Sequence, residues 1–321
     1  MAESLSIVVP VYNSEQSLPL LVEAIEAALK DHGAPFELIL VNDGSRDQSW
    51  SVVQSLAERY AWITGIDLMR NYGQHNALLC GIRAAQYDVI ITMDDDLQHP
   101  PAEIPKLLAE LAKGYDVVYG TPEREQRSLL RGLATQVTKI ALQSAMGVQA
   151  ARKVNAFRAF RKEVRRAFAH YNSPYVSIDV LLTWGTARFS AATVRHEARR
   201  FGKSNYTLRK LIVHTFNMLT GFSVRPLQIA SLIGFLFTAF GFLIFLYVIG
   251  RYLIEGGSVP GFPFLASIIA IFSGVQLFTL GIIGEYLARI HFRIMERPSS
   301  VVRRVVRQSA PEEVKHEVKT P

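Results

Sequence analysis

Cysteine is almost absent from this chain, which has one cysteine, Cys80, among 321 residues. An intrachain disulfide is therefore excluded, and no cysteine pair has zinc-binding spacing. Cys80 lies in an apolar run of helical period, where a core position is expected rather than a reactive thiol. The sequence also lacks the mixture of aromatic and basic residues that is typical of RNA-binding domains. Disulfide-stabilised, zinc-binding and RNA-binding folds are therefore not expected.

Acidic residues are in the minority, with 28 against 35 lysines and arginines, which leaves a net charge of +7. Contacts with a membrane surface and with phosphate groups account for this surplus, so no nucleic-acid partner is expected. Charge is missing altogether from two long apolar stretches, Leu227–Gly250 and Phe262–Ile283. Each is long enough to cross a hydrocarbon core, which needs about 20 residues. Two membrane spans are predicted.

The charges around these stretches predict their orientation. The loop between them carries only Arg251 and Glu255, whereas arginines are frequent after the second stretch, at Arg289, Arg293, Arg297, Arg303, Arg304 and Arg307. The positive-inside rule places that end of the chain in the cytoplasm. Because two spans return the chain to its starting side, the N-terminal part is expected there too. No signal peptide is expected ahead of the first strand.

Three short apolar strands precede these stretches, and each runs directly into polar residues. The strands are Ser6–Val11, Phe36–Val41 and Val89–Met93; the residues that follow them are Tyr12–Glu15, Asn42–Ser45 and Asp94–Asp96. Helices are predicted between them, one over Trp50–Tyr60 and one with apolar residues at helical spacing at Leu18, Leu21, Val22, Ile25 and Leu29. Alternating strands and helices predict a parallel sheet whose polar strand ends share one edge.

Three consecutive aspartates, Asp94, Asp95 and Asp96, repel one another and add nothing to a core. Their position after a buried strand favours a cation site, and oxygen ligands suit Mg²⁺ or Mn²⁺. Mg²⁺ usually binds one or two carboxylates and completes its shell with water and phosphate oxygens, which points to a nucleotide diphosphate. The alternative is a solvated acidic turn ahead of a helix that starts at His99–Pro101.

The Asn-Asp-Gly-Ser run after the second strand is, taken alone, a common turn. After a buried strand, however, Asp43 can accept hydrogen bonds from a base or ribose, and Gly44 permits close backbone approach.

Five motifs occur in order along the chain: VVPVYNSE, VNDGSRD, RNYGQHNALLCGI, MDDDLQHPP and RRFGKSNY. Together they strongly resemble the family 2 glycosyltransferases of GT-A fold, and among these the polyprenyl-phosphate glycosyltransferases. That group includes bactoprenol glucosyltransferases, aminoarabinose-lipid transferases and dolichol-phosphate mannose synthases. The resemblance extends from Ser4 to Pro298.

The resemblance implies an α/β fold: a GT-A nucleotide-sugar-binding domain with a mainly parallel sheet, then interfacial amphipathic helices and two transmembrane helices. The boundaries expected are 1–205 for a cytoplasmic catalytic domain, 206–226 for an interfacial helix, 227–290 for the transmembrane pair and 291–321 for a basic, partly disordered cytoplasmic tail. A bacterial inner membrane is the expected location.

The resemblance also assigns site residues. Nucleotide contacts fall on Pro10, Tyr12, Asn13, Glu15, Asp43, Gly44, Arg70, Gly73, Asp94 and Asp95. Metal ligands fall on Asp94, Asp96 and Gln98, with Asp96 the direct ligand and Gln98 a supporting one. Asp95, at the variable middle position, is expected to matter less than its neighbours. The cofactor implied is Mg²⁺ or Mn²⁺.

Arginines form a cluster between the sheet and the predicted spans. Arg124, Arg127 and Arg131 share one face if this segment is helical, and guanidinium groups match phosphate oxygens in geometry and charge. A solvated helix balanced by Glu123 and Glu125 is the alternative. The resemblance favours contacts with the donor diphosphate or the lipid phosphate. It makes these three arginines catalytic residues, together with Asp94, Asp96 and Arg158.

A second basic segment, His196–Tyr206, resembles the family's acceptor loop. Lipid-phosphate contacts are expected from Arg200, Lys203 and Ser204, with Gly202 as a hinge. An ordinary basic surface loop is the alternative. Downstream, the apolar face of an interfacial helix is expected from Leu208, Leu211, Ile212, Phe216 and Leu219.

The reaction implied is an inverting single displacement. A lipid phosphate monoester is largely dianionic at neutral pH, since its second pKa is about 6, and is already a nucleophile. Asn155–Arg158 stands where the family has Ser-Gly-Phe-Arg or an Asp-containing variant, so no catalytic carboxylate is evident there. Asp179, placed by its sequence position in a loop, is one candidate for a general base.

The donor is not encoded in any motif, because sugar pockets are built from scattered contacts. UDP-glucose with undecaprenyl phosphate is the first expectation, and GDP-mannose and UDP-amino sugars are alternatives. A processive polysaccharide synthase is disfavoured by the number of spans and the missing Gln-x-x-Arg-Trp motif, and a non-catalytic sugar-lipid binding protein by the retained aspartates and arginines. A homo-oligomer is expected, although Gly234, Gly241, Gly274 and Gly281 can pack within one subunit or between several.

Overall fold

The computed structural model describes residues 2–122, 154–173, 175–197, 225–255 and 261–308. These residues divide into two compact units. The first contains the described residues up to 197 together with those from 297 onward, and the second contains those from 225 to 296.

The described part of the first unit is built on an eight-stranded sheet with the order β7-β5-β6-β4-β1-β2-β3-β8. The strands are β1 (Leu5–Val11), β2 (Phe36–Asn42), β3 (Ile63–Leu68), β4 (Val89–Thr92), β5 (Val117–Pro122), β6 (Arg158–Arg161), β7 (Phe189–Val194) and β8 (Val302–Arg307). The central strands β4, β1, β2 and β3 are parallel. The predicted parallel arrangement of the first strands is confirmed.

Helices cover both faces of this sheet. They are α1 (Leu18–Leu29), α2 (Ser49–Arg59), α3 (Gln74–Ala84), α4 (Ile104–Leu111) and α5 (Ile178–Gly185), with 3₁₀ turns at Pro101–Glu103 and Lys162–Phe168. The five apolar residues predicted to face the core in α1 are all buried. Cys80 on α3 packs at the edge of the core, and burial raises the pKa of its thiol, as expected of a structural cysteine.

Burial on both faces explains the continuous apolar character of β1. Ile7 and Val9 pack with α1 on one face, whereas Val8 packs with α3 on the other. Successive side chains of a strand point to opposite faces, so every position of β1 lies in a core. The run of polar residues therefore begins only after the end of the strand, at one edge of the sheet.

Strand β8 differs from the expectation of a basic tail. It pairs antiparallel with β3 at one edge of the sheet, and Val306 packs against the core. The Arg303 guanidinium lies 3.6 Å from the Asp67 carboxylate and donates to the Met69 carbonyl oxygen at 2.8 Å. The predicted basic tail therefore contains a strand of the first unit, because β8 pairs with β3 there.

The second unit contains α6 (Arg225–Glu255) and α7 (Phe262–Ile294). Apolar segments within them, Pro226–Arg251 and Ile271–His291, are long enough to span a bilayer and have mean hydropathies of 2.5 and 1.4. The helices pack closely, since a Cβ built on Gly241 would lie 2.9 Å from the Phe272 ring. The two predicted spans thus fall in two helices that are candidate membrane spans, and the helices extend beyond the predicted limits. The predicted interfacial helix, 206–226, lies outside the described residues except for its last two positions.

Candidate active site

The ends of β1, β2 and β4 meet at one edge of the sheet, because β1 pairs in parallel with both neighbours. Three loops follow them: the first loop, 12–17; the second loop, 43–48; and the acidic loop, 93–100. A fourth segment, 69–73, follows β3. Ligands of open α/β sheets bind at the carboxyl ends of the strands, so this edge is the candidate site.

Side chains of the first loop hold it against the second. The backbone of Asn13 is left-handed, with φ 55°, and its Oδ1 accepts a hydrogen bond of 2.8 Å from the Arg46 amide. Glu15 accepts one of 2.9 Å from the Gln48 amide. Tyr12 is half-buried, whereas Pro10 lies inside β1 and is buried. Pro10 lies two residues before the loop, and its nucleotide contact stays a prediction.

Asp43 organises segment 69–73. Its carboxylate accepts hydrogen bonds from the amides of Tyr72 and Gly73, at 2.6 and 2.8 Å. Burial raises the pKa of Asp43, and these two bonds and the charge of Arg70 oppose the rise. Gly73 has φ 95°, so its backbone suits glycine.

Gly44 explains why the two segments approach so closely. It has φ 65°, and a Cβ there would lie 2.6 Å from the Asn71 nitrogen. The close neighbour of Gly44 in this structure is segment 69–73, and the nucleotide contact of Gly44 stays a prediction. The Arg70 guanidinium lies over the Tyr72 ring at 4.4 Å, on the exposed side of this segment.

The three aspartates of the acidic loop have different hydrogen-bond partners. Asp94 accepts a hydrogen bond of 2.7 Å from the side-chain amide of Gln74, at the start of α3. Asp95 accepts one from the Ser14 hydroxyl, which ties the acidic loop to the first loop. Asp96 accepts one of 3.1 Å from the Gln98 backbone amide. Each carboxylate is therefore held by a donor of its own.

Burial raises the pKa of Asp95 to about 6, and the neighbouring Asp96 adds to this effect against the Ser14 hydrogen bond. Asp95 therefore connects the acidic loop to the first loop, and the metal contacts of Asp94 and Asp96 stay predictions. Within the described ranges no group of three or more His, Cys, Asp or Glu side chains is arranged so that it could hold a metal ion. Two carboxylates and the Gln98 amide oxygen still suit a hard divalent ion that takes its other ligands from phosphate and water.

His99, which the sequence places only at a helix start, is a buried residue of this loop. It is 6% exposed, stacks on Phe157 with ring centroids 5.4 Å apart, and makes a T-shaped contact with the exposed His196 ring at 5.0 Å between centroids. Burial lowers the pKa of His99 to about 4, and His196 lowers it further than Asp96 raises it. His99 is therefore neutral. The sequence signal that could have identified His99 as a site residue is its position three residues after Asp96.

Glu103, at the end of the next turn, anchors the residues that follow β7. It is 2% exposed and accepts hydrogen bonds from Arg195 Nε at 2.7 Å and from the Arg195 amide at 3.2 Å. Lys106 lies 2.6 Å away. The Glu197 amide donates to the Gln98 carbonyl oxygen at 2.8 Å. Residues 195–197 are thereby fixed to the acidic loop and the turn that follows it. No local sequence motif predicts this contact between distant segments.

Arg158 and Asp179 form a buried pair in the core. Arg158 is 1% exposed, forms an ion pair with Asp179, and donates to the Thr92 hydroxyl at 3.0 Å. Asp179 lies in the first turn of α5 rather than in the predicted loop, is buried, and accepts a hydrogen bond of 3.1 Å from the Tyr119 hydroxyl. The catalytic role of Arg158 and the general-base role of Asp179 stay predictions.

The predicted arginine cluster and acceptor-loop contacts lie outside the described residues. They are Arg124, Arg127, Arg131, Arg200, Lys203 and Ser204.

A mostly parallel sheet with polar loops and an acidic loop at one edge defines a nucleotide-binding α/β domain. Residues 6–168 match the model of glycosyl transferase family 2. The chain is 36% identical over 312 residues to the undecaprenyl-phosphate 4-deoxy-4-formamido-L-arabinose transferase of Pectobacterium carotovorum, covering 96% of this chain and 95% of that protein. It is 36% identical over 305 residues to the transferase of the same name from Pseudomonas aeruginosa PAO1, covering 94% and 90%. The chain belongs to glycosyl transferase family 2.

Among solved structures, the chain resembles glucosyl-3-phosphoglycerate synthase from Mycobacterium tuberculosis in complex with Mn²⁺, UDP and phosphoglyceric acid. The TM-score is 0.50 at 18% identity, covering 68% of this chain and 76% of that one. This likeness shows the fold, which is GT-A with a mostly parallel sheet.

Proposed function

We propose that the protein transfers a sugar from a nucleotide diphosphate sugar to a polyprenyl phosphate at a membrane surface. One observation carries this proposal. The acidic loop with Asp94 and Asp96 follows β4, next to the loop that follows β1, in a chain that is 36% identical, over 96% of its length, to undecaprenyl-phosphate sugar transferases. The two apolar helices that follow the catalytic domain suit a lipid acceptor.

Asp94, Asp96 and Gln98 are the residues we propose for Mn²⁺ or Mg²⁺. When bound, such an ion would neutralise the charge of the departing nucleotide diphosphate. The structural relative crystallised with Mn²⁺ and UDP supports the kind of ion and nucleotide. Gln74 holds Asp94 from α3, and the Gln98 amide holds Asp96, so both carboxylates are oriented before any ligand arrives. Preorganised charge of this kind is a major source of catalytic power.

A general base is not needed in the proposed mechanism. The acceptor phosphate is largely dianionic at neutral pH and attacks the anomeric carbon itself, with inversion. The ion pair between Arg158 and Asp179 supports this view, because the carboxylate that sequence position favoured as a base is enclosed. The protein's task is then to align the two substrates and exclude water.

For the donor, the relatives favour 4-deoxy-4-formamido-L-arabinose, the sugar in their names, rather than the expected glucose. We propose its UDP derivative as the first donor to test, with UDP-glucose and GDP-mannose as competitors. We propose undecaprenyl phosphate as the acceptor, on the same grounds.

We also propose that the catalytic domain lies at the cytoplasmic face of a bacterial inner membrane. Strand β8 follows α7, yet it is hydrogen-bonded to β3, which precedes α6. Both ends of the helical pair therefore start from the same folded domain, which supports an even number of membrane crossings. The arginines after α7 then place that side in the cytoplasm.

A transfer assay tests the proposal. Purified full-length protein is incubated with undecaprenyl phosphate and each radiolabelled donor, with Mn²⁺, with Mg²⁺, and with a chelator. One metal-dependent glycolipid is expected, and its donor identifies the sugar. A polymer in place of a single-sugar lipid would indicate a processive synthase. Absence of product from every donor, by protein that still binds UDP, would indicate a binding protein.

A further inference from the structure

The hydrogen bonds of Asn155 determine where His99 carries its proton. Asn155 Oδ1 accepts from the Ala156 amide at 2.7 Å, and Asn155 Nδ2 donates to the Gly120 carbonyl oxygen at 2.8 Å. The orientation of this side-chain amide is therefore defined. The same Nδ2 lies 3.0 Å from His99 Nε2. Because an amide nitrogen only donates, Nε2 must be the acceptor, and the hydrogen of the neutral ring is on Nδ1.

The Nδ1–H group has no hydrogen-bond partner among the described residues, although it is buried. Buried donors are normally satisfied, and an unmatched one costs about 1–3 kcal/mol. The ring cannot rotate to find another partner, because Phe157 covers one face and Nε2 is held by Asn155. Such a fixed donor, unmatched among the described residues, suits an acceptor that a bound ligand supplies.

The surroundings indicate which acceptor this is. His99 directly follows Gln98, whose amide is bonded to Asp96 and whose carbonyl oxygen is bonded to the Glu197 amide. The exposed His196 ring makes a T-shaped contact with the His99 ring, at 5.0 Å between centroids. His99 belongs to the acidic loop itself, three residues after Asp96. A ligand held at this loop would therefore bring its oxygens to that part of the chain, and these oxygens would be the acceptors.

We infer that His99 is a donor-binding residue whose Nδ1–H group donates to an oxygen of the sugar-diphosphate part of the nucleotide sugar. This inference rests on the proposed function. Since a neutral N–H group donates to either oxygen, the acceptor is a phosphate oxygen or a hydroxyl or carbonyl oxygen of the sugar. Phe157 and Asn155 then act by holding the ring in a single orientation and tautomer.

Two matched substitutions separate this contact from packing. His99→Asn places an amide nitrogen near the position of Nδ1 and removes the acceptor of Asn155. His99→Gln does the reverse, because its carbonyl oxygen reaches the position of Nε2 and leaves nothing at Nδ1. The binding of UDP and of UDP-4-deoxy-4-formamido-L-arabinose and UDP-glucose is measured by calorimetry on the full-length protein with Mn²⁺. Thermal unfolding of each variant reports any loss of fold.

We expect His99→Gln to weaken binding of the nucleotide sugar about tenfold, as loss of one hydrogen bond implies, and His99→Asn to remain within about threefold of wild type. If His99→Gln weakens binding of the nucleotide sugars but not of UDP, the acceptor of the Nδ1–H group is a sugar oxygen. If binding of UDP is weakened equally, the acceptor is a phosphate oxygen. Wild-type binding by His99→Gln, or equal losses in both variants, would overturn the inference. Wild-type protein that binds none of these three ligands and no GDP-mannose would instead refute the proposed function, and the inference with it.

Discussion

Replacing Asp179 by alanine tests whether this buried carboxylate serves the structure or the reaction. The ion pair with Arg158 is almost fully enclosed, and the same carboxylate accepts from the Tyr119 hydroxyl at 3.1 Å. Removing one partner of a buried pair costs about 3–5 kcal/mol, because the other charge is left uncompensated. For a domain of this size, that corresponds to a fall of about 6–20 °C in the unfolding temperature.

The double variant Arg158→Met with Asp179→Leu removes both charges and provides the control. Apolar replacement of a buried pair is often close to neutral. Tyr119 then loses its acceptor, which costs about 1–3 kcal/mol. We therefore expect the double variant to be more stable than Asp179→Ala alone.

The assays are thermal unfolding and glycolipid formation per amount of folded protein, both on full-length protein in detergent. A structural role predicts that Asp179→Ala unfolds at a lower temperature and that its folded fraction retains measurable transfer. Wild-type unfolding temperature combined with complete loss of transfer would refute this reasoning and restore Asp179 as a general base.

Three further predictions concern the acidic loop, its anchor and the last strand. Asp96→Asn should reduce metal-dependent transfer at least about a hundredfold, whereas Asp95→Asn should retain it within about tenfold; equal losses in the two variants would contradict the metal assignment. Glu103→Gln should lower the unfolding temperature by a few degrees near neutral pH, worth about 1–2 kcal/mol after allowance for its exposed partners. Burial alone would raise the pKa of Glu103, but hydrogen bonds from Lys106 and Arg195 outweigh it and lower the pKa. The contribution of Glu103 to the free energy of unfolding is therefore present above the ordinary glutamate pKa range and disappears as the pH falls. Plots of unfolding temperature against pH that stay parallel for variant and wild type down to low pH would refute this. Deleting residues 302–321 should destabilise the catalytic domain, seen as faster proteolysis around β3, and a protease pattern identical to wild type would show that β8 is dispensable.

The sequence predicted the elements whose signals are local. The β-branched runs identified β1, β2 and β4, the apolar spacing identified α1, and three aspartates after a buried strand identified the acidic loop. These features depend on neighbours within a few residues, where periodicity and burial act directly.

Features that depend on distant partners were not predictable in this way. The basic run 302–307 becomes a strand because β3 offers an unpaired edge, and the Arg303 to Met69 contact joins residues 234 positions apart. The burial of Arg158 and Asp179 as an ion pair depends on a contact between residues 21 positions apart, which the sequence does not indicate. The tautomer of His99 depends on Asn155, 56 positions away. None of these contacts is marked in the sequence by a hydrophobic periodicity or a motif.

The position of β8 also sets the order in which the protein can be assembled. During translation, β3 leaves the ribosome long before its partner, and α6 and α7 are both synthesised in the interval. Until then β3 is an open strand edge, the kind of surface that invites aggregation and degradation. The catalytic sheet is completed only when a chain has passed through both apolar helices. Chains that end before β8 would therefore keep the β3 edge open, so the catalytic sheet is completed only in a chain that also carries both apolar helices.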